Sequence, residues 1–412
     1  MLSVREALDT LLAAARPVLE VEQVPTLEAN GRVLALDVAS TIDVPSHDNT
    51  QMDGYAVRAA DCSIDGLSGG ALLRVAQRIP AGTVGQPLEP GTAARIFTGA
   101  MIPEGADAVV MQEQCEVQGD SVTIRHVPTS GEWIRRAGED IQAGSTILPA
   151  GTRLRSQELG LAASVGLASL PVRRCLRVAV FFTGDELTMP GEAPGGQLAP
   201  GAVYNSNRFL LRGLLENFGC AITDFGIVPD SLEATRGTLR TAAQEHDLII
   251  TSGGVSVGEE DHIKPAVEAE GQLNMWQIAV KPGKPLAFGE VRRAEGADSA
   301  FFIGLPGNPV SSFITFLLFV RPFLLRLQGV SGPVEARAWQ VRADFSLPKA
   351  DRRNEFLRAR VNAGGGLDLF PNQGSGVLTS TVWGDGLVDN PPGRIIHEGD
   401  MVRFIPFAEL QY

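Results

Sequence analysis

The segment DLIITSGGVSVGEEDHIK, residues 247–264, carries the strongest fold signal in this sequence. Residues 248–251 form a short apolar run that is typical of a buried strand, and a glycine-rich turn and then a helical pattern from His262 follow it. A strand that leads through such a turn into a helix is the repeating unit of an α/β domain. The segment therefore predicts a strand whose carboxyl end opens onto a ligand site.

Strand and helix patterns alternate on both sides of this segment. Strands are predicted at 176–182, 221–228, 272–280 and 301–307, and helices at 206–218, 231–246, 262–270 and from Pro309 onward. This alternation predicts an α/β domain with a mostly parallel sheet that is covered by helices on both faces.

The remaining sequence has a different character. Ser3 and Glu6 form a capping-box pattern that predicts a helix ending before Pro17, and residues 156–165 form a second helical pattern. Residues 20–150 contain short β-branched runs between glycines and prolines, and short strands return from about residue 330. The chain is therefore predicted to be a multidomain α/β plus β protein, with β-rich N-terminal domains and a small C-terminal β-barrel.

The apolar run FITFLLFV at 313–320 is the most hydrophobic part of the chain. Arg321 and Pro322 interrupt it, so the run is too short to cross a bilayer. We therefore expect a buried helix here and no membrane association.

The charge balance limits the kinds of ligand. The 412 residues include 48 acidic and 35 basic side chains, which gives a net charge of −13 and a pI near 5.0. This balance disfavours broad electrostatic binding to nucleic acid or to anionic lipid. Any anion must be held locally, and three of only four lysines lie in one short stretch: Lys264, Lys281 and Lys284.

Targeting and redox signals are weak. The four cysteines are too widely spaced for a CxxC pair, and charges at Arg5, Glu6 and Asp9 interrupt the first ten residues, so these are not a secretory signal. The sequence predicts reduced thiols and a cytoplasmic protein.

Three loops at predicted strand ends share one chemistry: TGDEL at 183–187, TSGGVSVGEED at 251–261 and GLPGNPVSS at 304–312. Glycines let backbone N–H groups approach an oxyanion, hydroxyl groups add donors, and the helix that follows presents its positive end. The sequence therefore predicts a phosphate or oxyanion cradle at one edge of the sheet.

Charged side chains accompany these loops. KPGKP at 281–285 holds Lys281 and Lys284 between prolines, and the acidic residues are Asp185, Glu186, Asp230, Glu259, Glu260 and Asp261. Mg²⁺ takes one or two carboxylates together with phosphate oxygens, so a magnesium site is one interpretation. The alternative is that Glu259 and Asp261 only favour the N-terminus of the next helix.

Residues 254–258 also match the GxSxG pattern of a hydrolase nucleophile elbow. Ser256 follows additional residues after the strand, and a base would have to come from His262 or the distant His397. A serine hydrolase is therefore kept as an alternative.

Two segments stand out in the β-rich half: DNTQMDGYAVR at 48–58 and IFTGAMIPEGADAVVMQE at 96–113. Asp53 and Gly54 are a turn pair, and Thr98 and Gly99 end a predicted strand. Taken alone, both segments are typical of ordinary turns.

Many segments together resemble one known family, the molybdopterin molybdenumtransferases, which include the MoeA proteins and the related E domain of gephyrin. The similar pieces run through nearly the whole chain and include MDGYAVRAAD (52–61), IFTGAMIPEGADAVV (96–110), RRAGEDIQAG (135–144), FFTGDEL (181–187), YNSNR (204–208), LIITSGGVSVGEEDHIK (248–264), KPGKP (281–285), GLPGNPVSS (304–312), RRNEFLRAR (352–360) and GLVDNPPG (386–393).

The resemblance implies an activity and a domain plan. The activity is the insertion of molybdate into adenylylated molybdopterin with Mg²⁺, which releases AMP and the finished molybdenum cofactor. The implied domains are an elongated linking domain (1–27 and 142–172), a β-rich domain (28–141), a MogA-like α/β domain (173–328) and a C-terminal β-barrel (329–412). The resemblance also implies a homodimer with a composite active site.

The resemblance implies roles for particular residues. The catalytic set is Asp53, Thr98, Asp185, Glu186, Asp230, Asp261, Lys281 and Lys284, of which Glu186, Asp230 and Asp261 also bind the metal. The substrate-binding set is Ser252, Gly253, Gly254, Ser256, Pro306, Asn308, Ser311, Arg353 and Ser375. The sequence departs from the family pattern at Thr50 and around Ser375, and Arg352 is an alternative to Arg353.

The implied partners are an upstream adenylyltransferase and downstream molybdoenzymes or chaperones. Two rival functions remain at this point. One is molybdopterin adenylyltransferase, whose fold carries a similar SGG loop, and the other is a gephyrin-like scaffold. The chain has one set of α/β motifs and no long charged linker, which disfavours a scaffold.

Overall fold

The structure is a computed structural model that describes residues 1–63, 69–255, 262–294 and 298–411. The α-helices of these residues are α1 (Val4–Ala14), α2 (Ser156–Ser164), α3 (Ser206–Asn217), α4 (Leu232–Glu245), α5 (Ile263–Glu270), α6 (Pro309–Thr315), α7 (Arg321–Leu327) and α8 (Thr379–Trp383). A π-helical turn, Phe316–Val320, joins α6 to α7.

The strands are short in both terminal regions and longer in the middle of the chain. They are β1 (Val21–Pro25), β2 (Val38–Ala39), β3 (Asn49–Thr50), β4 (Gly54–Val57), β5 (Ala71–Ile79), β6 (Thr92–Ile96), β7 (Ala108–Met111), β8 (Cys115–Gln118), β9 (Ser121–Ile124), β10 (Ile134–Arg135), β11 (Thr146–Leu148), β12 (Ser169–Arg173), β13 (Arg177–Thr183), β14 (Leu187–Thr188), β15 (Val203–Tyr204), β16 (Ala221–Val228), β17 (Leu248–Ser252), β18 (Gly271–Gln277), β19 (Val280–Lys281), β20 (Pro285–Arg292), β21 (Ser299–Leu305), β22 (Trp339–Arg342), β23 (Asn354–Val361), β24 (Leu367–Leu369), β25 (Gly386–Asn390) and β26 (Met401–Pro406).

The chain divides into two compact units. The larger unit contains Met1–Leu36, Ala150–Arg155 and Pro171–Tyr412, and the smaller unit contains Asp37–Pro149 and Ser156–Leu170.

An α/β sheet lies at the centre of the larger unit. Its described strands follow the order β16-β13-β17-β21-β20-β18. The first four are parallel, whereas β20 runs antiparallel to β21 and β18 runs antiparallel to β20. The prediction of an α/β domain with a mostly parallel sheet is confirmed.

Strand β20 was not predicted from the sequence. It begins at Pro285 and contains Gly289, and both residues weaken a strand pattern. Gly289 fits because the sheet is tight at this point: a Cβ atom there would lie 2.3 Å from the carbonyl oxygen of Gln272. Close packing of the backbones therefore requires a glycine at this position, and the same glycine weakens the strand pattern in the sequence.

Alternate residues of β13 face two hydrophobic cores. Val178, Val180 and Phe182 belong to a core that also contains apolar residues of α1, α3, α6 and α7. Ala179 and Phe181 belong to a second core with residues of α4 and α5. The sheet is thus covered on both faces, as the alternation of strands and helices predicts.

The apolar helix after β21 is an internal helix. The stretch Pro309–Leu327 is long and apolar enough to cross a membrane by composition alone, but 89% of its most apolar window is buried within the protein. The prediction of a buried helix here is confirmed. The expectation that Arg321 and Pro322 leave it too short to cross a bilayer is wrong, because the helical stretch continues through both residues to Leu327.

The C-terminal part of the larger unit forms a second sheet in the order β19-β23-β25-β26-β22, and β24 also pairs with β23. Strand β22 lies at one edge of this sheet. A bridge between Ala343, just after β22, and Leu367 links that edge to β24. Strand β19 ends at Lys281, the first residue of the KPGKP segment, and pairs in parallel with β23, with Lys281 opposite Glu355.

Helix α1 begins at the capping box that the sequence predicts. Ser3 Oγ accepts a hydrogen bond from the backbone N–H of Glu6, and the backbone N–H of Ser3 donates to the Glu6 carboxylate. This capping box begins α1, which ends at Ala14 ahead of Pro17.

The smaller unit is mainly β-structure. Its main sheet has the order β7-β4-β6-β5-β9-β8, and the short pairs β10-β3 and β11-β2 lie outside it. Helix α2 packs near β11. The predicted β-rich character of the N-terminal region is confirmed.

Candidate functional site

A cleft of about 910 Å³ lies at the carboxyl ends of β13, β17 and β21 in the larger unit. The KPGKP segment and a loop of the C-terminal sheet complete its lining. The cleft contains these residues predicted from the sequence: Glu186, Asp230, Ser252, Gly253, Gly254, Lys281, Lys284, Pro306, Asn308, Ser311, Arg353 and Ser375. Residues from all three predicted loops therefore share one cavity.

The second and third loops are joined by buried hydrogen bonds. Ser252 Oγ donates to the carbonyl oxygen of Pro306 at 2.9 Å. Asn207 Nδ2 donates to Ser252 Oγ at 2.8 Å and to the carbonyl oxygen of Gly307 at 2.7 Å. The Ser252 hydroxyl proton is thus directed to the protein backbone, which fixes the positions of both loops.

Asn207 has no sequence signal of its own beyond its place in the YNSNR segment. It is 8% exposed and lies in the first turn of α3, where Asn205 caps the helix by accepting a hydrogen bond from the backbone N–H of Arg208. A polar residue at a buried helical position is the signal that could have identified it.

We expect Asn207→Ala to weaken the joint between the loops. The Ser252 hydroxyl and the Gly307 carbonyl would each lose a buried partner. The cost should be about 1–3 kcal/mol in total, because the variant also removes the buried Asn207 Oδ1, for which the described residues provide no partner. Urea denaturation would measure this cost. Asn217→Ala, on the exposed end of the same helix, is the matched control, and an equal loss in both variants would contradict the expectation.

Gly253 allows the second loop to turn back on the first. Its φ is +102°, and a Cβ atom there would lie 2.5 Å from the carbonyl oxygen of Thr183 at the end of β13. Its backbone N–H donates to the carbonyl oxygen of Leu305 at 3.2 Å. Gly253 thus holds the ends of three neighbouring strands close together, as the glycine-rich pattern predicts.

The predicted acidic residues divide into three groups. Glu186 and Asp230 line the cleft. Asp185 is exposed, and the described lining does not include it. Glu259, Glu260 and Asp261 lie outside the described residues, as does Ser256, so the magnesium and hydrolase interpretations that depend on these four residues stay predictions.

Lys281 is held by two carboxylates of the C-terminal part. Its Nζ lies 2.9 Å from Glu355 Oε1 and 3.1 Å from Asp351 Oδ2. Glu355, with Asp351, raises the pKa of Lys281, so the ammonium group stays charged at neutral pH. Lys284 is exposed at the rim of the same cleft.

Arg353 shares one of these carboxylates. Its Nη2 lies 3.0 Å from Asp351 Oδ2, and its Nε donates to Asp351 Oδ1 at 3.1 Å. The backbone N–H of Arg353 also donates to Asp351 Oδ1 at 3.0 Å. These contacts with Arg353, together with Lys281, hold the pKa of Asp351 well below its usual range.

A buried arginine supports the loop that carries Ser375. Arg358 is 0% exposed, and its guanidinium donates to Ser380 Oγ at 3.1 Å and to the carbonyl oxygens of Phe356 and Gly374 at 3.2 and 3.3 Å. Burial lowers the pKa of Arg358 to about 10. Nothing in the sequence distinguishes this cation from the exposed Arg360 on the same strand.

Asp53 and Thr98 form a pair in the smaller unit. Asp53 Oδ1 accepts hydrogen bonds from the backbone N–H of Thr98 at 2.8 Å and from its hydroxyl at 2.7 Å. These bonds lower the pKa of Asp53. The two sequence segments that stood out in the β-rich half therefore meet at one place.

Three regions of the chain match known families. Residues 2–166 match the MoeA N-terminal region (domain I and II), residues 179–326 match a probable molybdopterin binding domain, and residues 340–407 match the MoeA C-terminal region (domain IV).

Individual relatives agree with these matches. A molybdopterin molybdenumtransferase from Haemophilus influenzae is 41% identical over 360 residues, which cover 87% of this chain and 85% of that protein. Gephyrin from Dictyostelium discoideum is 33% identical over 75% of this chain, but the match covers only 47% of gephyrin. A crystal structure of a molybdopterin biosynthesis moeA protein from Pyrococcus horikoshii superposes with a TM-score of 0.84 at 28% identity and covers 98% of this chain and 100% of that one.

Proposed function

This chain belongs to the MoeA family of molybdopterin molybdenumtransferases and acts in molybdenum cofactor biosynthesis, and we propose that its cleft inserts molybdate into adenylylated molybdopterin. The supporting observation is that residues from three glycine-rich loops, two lysines and two carboxylates line one cavity. The reaction needs such a site because it brings two anions, molybdate and a phosphoanhydride, close together.

The proposed reaction has a simple balance. Two Mo–S bonds form between molybdate and the dithiolene, and one molybdate oxygen leaves as water with the two thiol protons. Hydrolysis of the phosphoanhydride consumes one water and releases AMP. The reacting groups are all on the substrates. The main task of the protein is therefore to position the substrates and to stabilise their negative charges.

The glycine loops supply the phosphate cradle of this proposal. Gly253 and Gly254 have positive φ, and both line the cleft beside Pro306 and Asn308. Ser311 belongs to the third predicted loop and lies in the first turn of α6. Backbone N–H groups at such a helix start bind phosphate oxygens, while Lys281, Lys284 and Arg353 add positive charge.

The described carboxylates fit a magnesium ion. Glu186 and Asp230 line the cleft, and Mg²⁺ is commonly held by one or two carboxylates together with substrate phosphates. Within the described ranges no cluster of three His, Cys, Asp or Glu side chains forms a complete metal site. We propose that Glu186 and Asp230, with Asp261, hold Mg²⁺ when the substrate phosphates are present. The ion would supply positive charge next to the phosphoanhydride.

The proposal extends to assembly and location. We propose a homodimer in which Asp53 and Thr98 of one subunit complete the site of the other, as the resemblance to the family implies. A cytoplasmic location is proposed, and the support for it is that the long apolar helix Pro309–Leu327 is mostly buried within the protein. The proposed partners are the adenylyltransferase that makes the substrate and the molybdoenzymes or chaperones that receive the cofactor.

An assay with purified components tests this function. Adenylylated molybdopterin, molybdate and Mg²⁺ would be incubated with the protein, while AMP release and activation of a cofactor-free molybdoenzyme are followed. We expect both signals to depend on molybdate. Adenylylation of free molybdopterin by ATP would instead indicate the adenylyltransferase, and neither activity would leave the gephyrin-like scaffold.

We expect the carboxylate variants Glu186→Gln and Asp230→Asn to need more magnesium. Each variant replaces a charged carboxylate with a neutral amide, which should raise the Mg²⁺ concentration for half-maximal AMP release by about tenfold or more. Glu192→Gln, on an exposed loop, is the matched control. An unchanged magnesium requirement in both cleft variants would remove these carboxylates from the proposed metal site.

A further inference from the structure

The lining of the cleft is chemically uneven. Its described cations all belong to the KPGKP segment or to the C-terminal part of the chain, and they are Lys281, Lys284 and Arg353. In the stretch 183–207, the only charged residue of the described lining is Glu186. Anions are therefore favoured on the lysine side of the cleft, and the opposite chemistry, a neutral group, is favoured beside the stretch 183–207.

We call this second side the β14–β15 wall, and its uncharged side chains are Thr183, Leu187, Val203, Tyr204, Asn205 and Asn207. Backbone hydrogen bonds hold the wall together. The N–H of Val203 donates to the carbonyl oxygen of Glu186 at 2.8 Å, and the N–H of Asn205 donates to that of Thr188 at 3.0 Å. Strands β14 and β15 thus present their side chains in a defined order.

The wall exposes apolar surface. Val203 and Tyr204 are 48% and 42% exposed, although both residues line a cleft, and the partly buried Leu187 pairs with Val203. An exposed aromatic ring can stack on any flat heterocycle, because every such ring has a π-face. The Tyr204 ring is therefore a suitable surface for the face of a ring-bearing ligand.

Two asparagines of the wall have amide groups of known orientation. Asn207 Nδ2 donates to the carbonyl oxygen of Gly307, which can only accept, so the other amide atom of Asn207 is Oδ1. Asn205 Oδ1 accepts from the backbone N–H of Arg208 at 3.2 Å, so the other amide atom of Asn205 is Nδ2. Both residues are less than 10% exposed, and neither of these other atoms has a hydrogen-bond partner among the described residues. The wall thus holds one acceptor and one donor in fixed positions.

Thr183 adds a third polar group of this kind. It ends β13, is 3% exposed, and its Oγ1 has no partner within the described ranges. A Cβ atom at Gly254 would lie 2.8 Å from this oxygen, so the hydroxyl faces the glycine turn of the cleft. Buried polar groups without partners destabilise a protein, and three of them in one wall indicate a ligand that supplies the missing hydrogen bonds.

We propose that the β14–β15 wall binds a flat nitrogen heterocycle of the substrate, with the Tyr204 ring against its face and the three unpartnered polar groups at its edge. This inference rests on the proposed function, because adenylylated molybdopterin carries two such rings, a pterin and an adenine. The edges of both rings combine N–H donors with nitrogen or carbonyl acceptors. Ionised phosphate and molybdate have only acceptors and cannot bond with Asn207 Oδ1.

Three phosphate esters separate the ring from the anion: AMP, neopterin 3′-phosphate and ribose 5-phosphate, which has no heterocycle. Their binding to the full chain would be measured by titration calorimetry at constant ionic strength. The ratio of the Kd for ribose 5-phosphate to the Kd for a ring-bearing ester gives the preference for that ring, because the phosphate is common to all three. The AMP arm reports on adenine and the neopterin arm on the pterin.

We expect the wild type to prefer at least one ring-bearing ester over ribose 5-phosphate, and Tyr204→Leu to lower that preference by about tenfold. Tyr204→Phe keeps the ring and should keep the preference. Trp339→Leu is the control, because Trp339 is an aromatic residue of similar exposure on β22 and is not part of the described lining. An unchanged preference in Tyr204→Leu would overturn the inference.

Thr183→Val tests the edge of the ring. We expect the preference to fall by about fivefold, while the free energy of unfolding stays the same or rises because an unpartnered buried hydroxyl is removed. Thr251→Val is the matched control: Thr251 is fully buried on β17, its Oγ1 also has no partner in the described part of the chain, and it does not belong to the described lining. Equal preferences in Thr183→Val and the wild type would overturn the role of the hydroxyl.

The remaining outcomes separate this inference from the proposed function. If the wild type binds all three esters equally, the inference fails alone, since phosphate binding still supports the proposed cleft. If it binds none of them, the proposed role of the cleft fails as well. Sedimentation of Tyr204→Leu would reveal a subunit interface instead: loss of self-association with an unchanged preference would overturn the inference.

Discussion

Gly253→Ala is expected to lower the free energy of unfolding by roughly 2–6 kcal/mol and to abolish cofactor formation. Two costs add at this position. Alanine strains a backbone with φ of +102°, and its Cβ would collide with the carbonyl oxygen of Thr183, which is part of the sheet and cannot move away easily. The second loop must then shift, and the cradle between β13, β17 and β21 loses its shape.

A matched glycine separates the two costs. Gly226 has φ of +72° and open space around the position of a Cβ atom, so Gly226→Ala carries the backbone strain without the collision. Urea denaturation and molybdate-dependent AMP release would be measured for both variants. We expect Gly226→Ala to lose about 1–2 kcal/mol and to stay active. Similar losses of stability and activity in the two variants would refute the role of the close contact.

Arg358→Met is expected to lower activity by about 100-fold or more, because a displacement of about 1 Å in a site can cost that much. The loop with Ser375 would lose the guanidinium bond to the Gly374 carbonyl oxygen and keep its other contacts, such as the hydrogen bond from the Val310 N–H to the Ser375 carbonyl oxygen. Stability should change far less than activity. Two carbonyl oxygens would lose a buried donor, which destabilises the fold. Among the described residues no carboxylate pairs with Arg358, so removing this buried, unpaired charge is itself favourable and offsets part of that loss.

Arg360→Met is the control for the arginine. Arg360 lies two residues further along β23, is about half exposed, and its guanidinium lies 4.5 Å from the centre of the Trp383 ring. We expect this variant to retain activity. Arg358→Lys keeps a charge but loses the planar fork of donors, so it should recover only part of the activity. Full activity of Arg358→Met would show that the loop does not need the guanidinium.

The α/β elements could be predicted because each carries a local signal. The apolar run at 248–251 and the glycines after it indicate a buried strand and its turn without reference to the rest of the chain. Strand β16 is observed as Ala221–Val228, as its pattern predicts. Strand β20 could not be predicted because its proline and glycine weaken the strand pattern. Gly289 is required by the close approach of the neighbouring strand, which the local sequence does not reveal.

The site was predictable where its chemistry is local. Glycine loops and the paired lysines are visible in the sequence, and the structure brings residues of these segments into one cleft. The contacts of Lys281 with Asp351 and Glu355 could not be predicted, since they depend on the pairing of β19 with a strand that is distant in sequence. The buried roles of Asn207 and Arg358 likewise arise from tertiary packing.

The pairing of β19 with β23 also determines when the anion site can form during synthesis of the chain. Lys281 leaves the ribosome 74 residues before its partner Glu355, so the edge of β19 stays without that partner while the chain is still growing. The loop with Ser375 emerges later still. A nascent chain therefore holds the glycine cradle before it can hold Lys281 in place, and the complete anion site exists only after translation has passed residue 375.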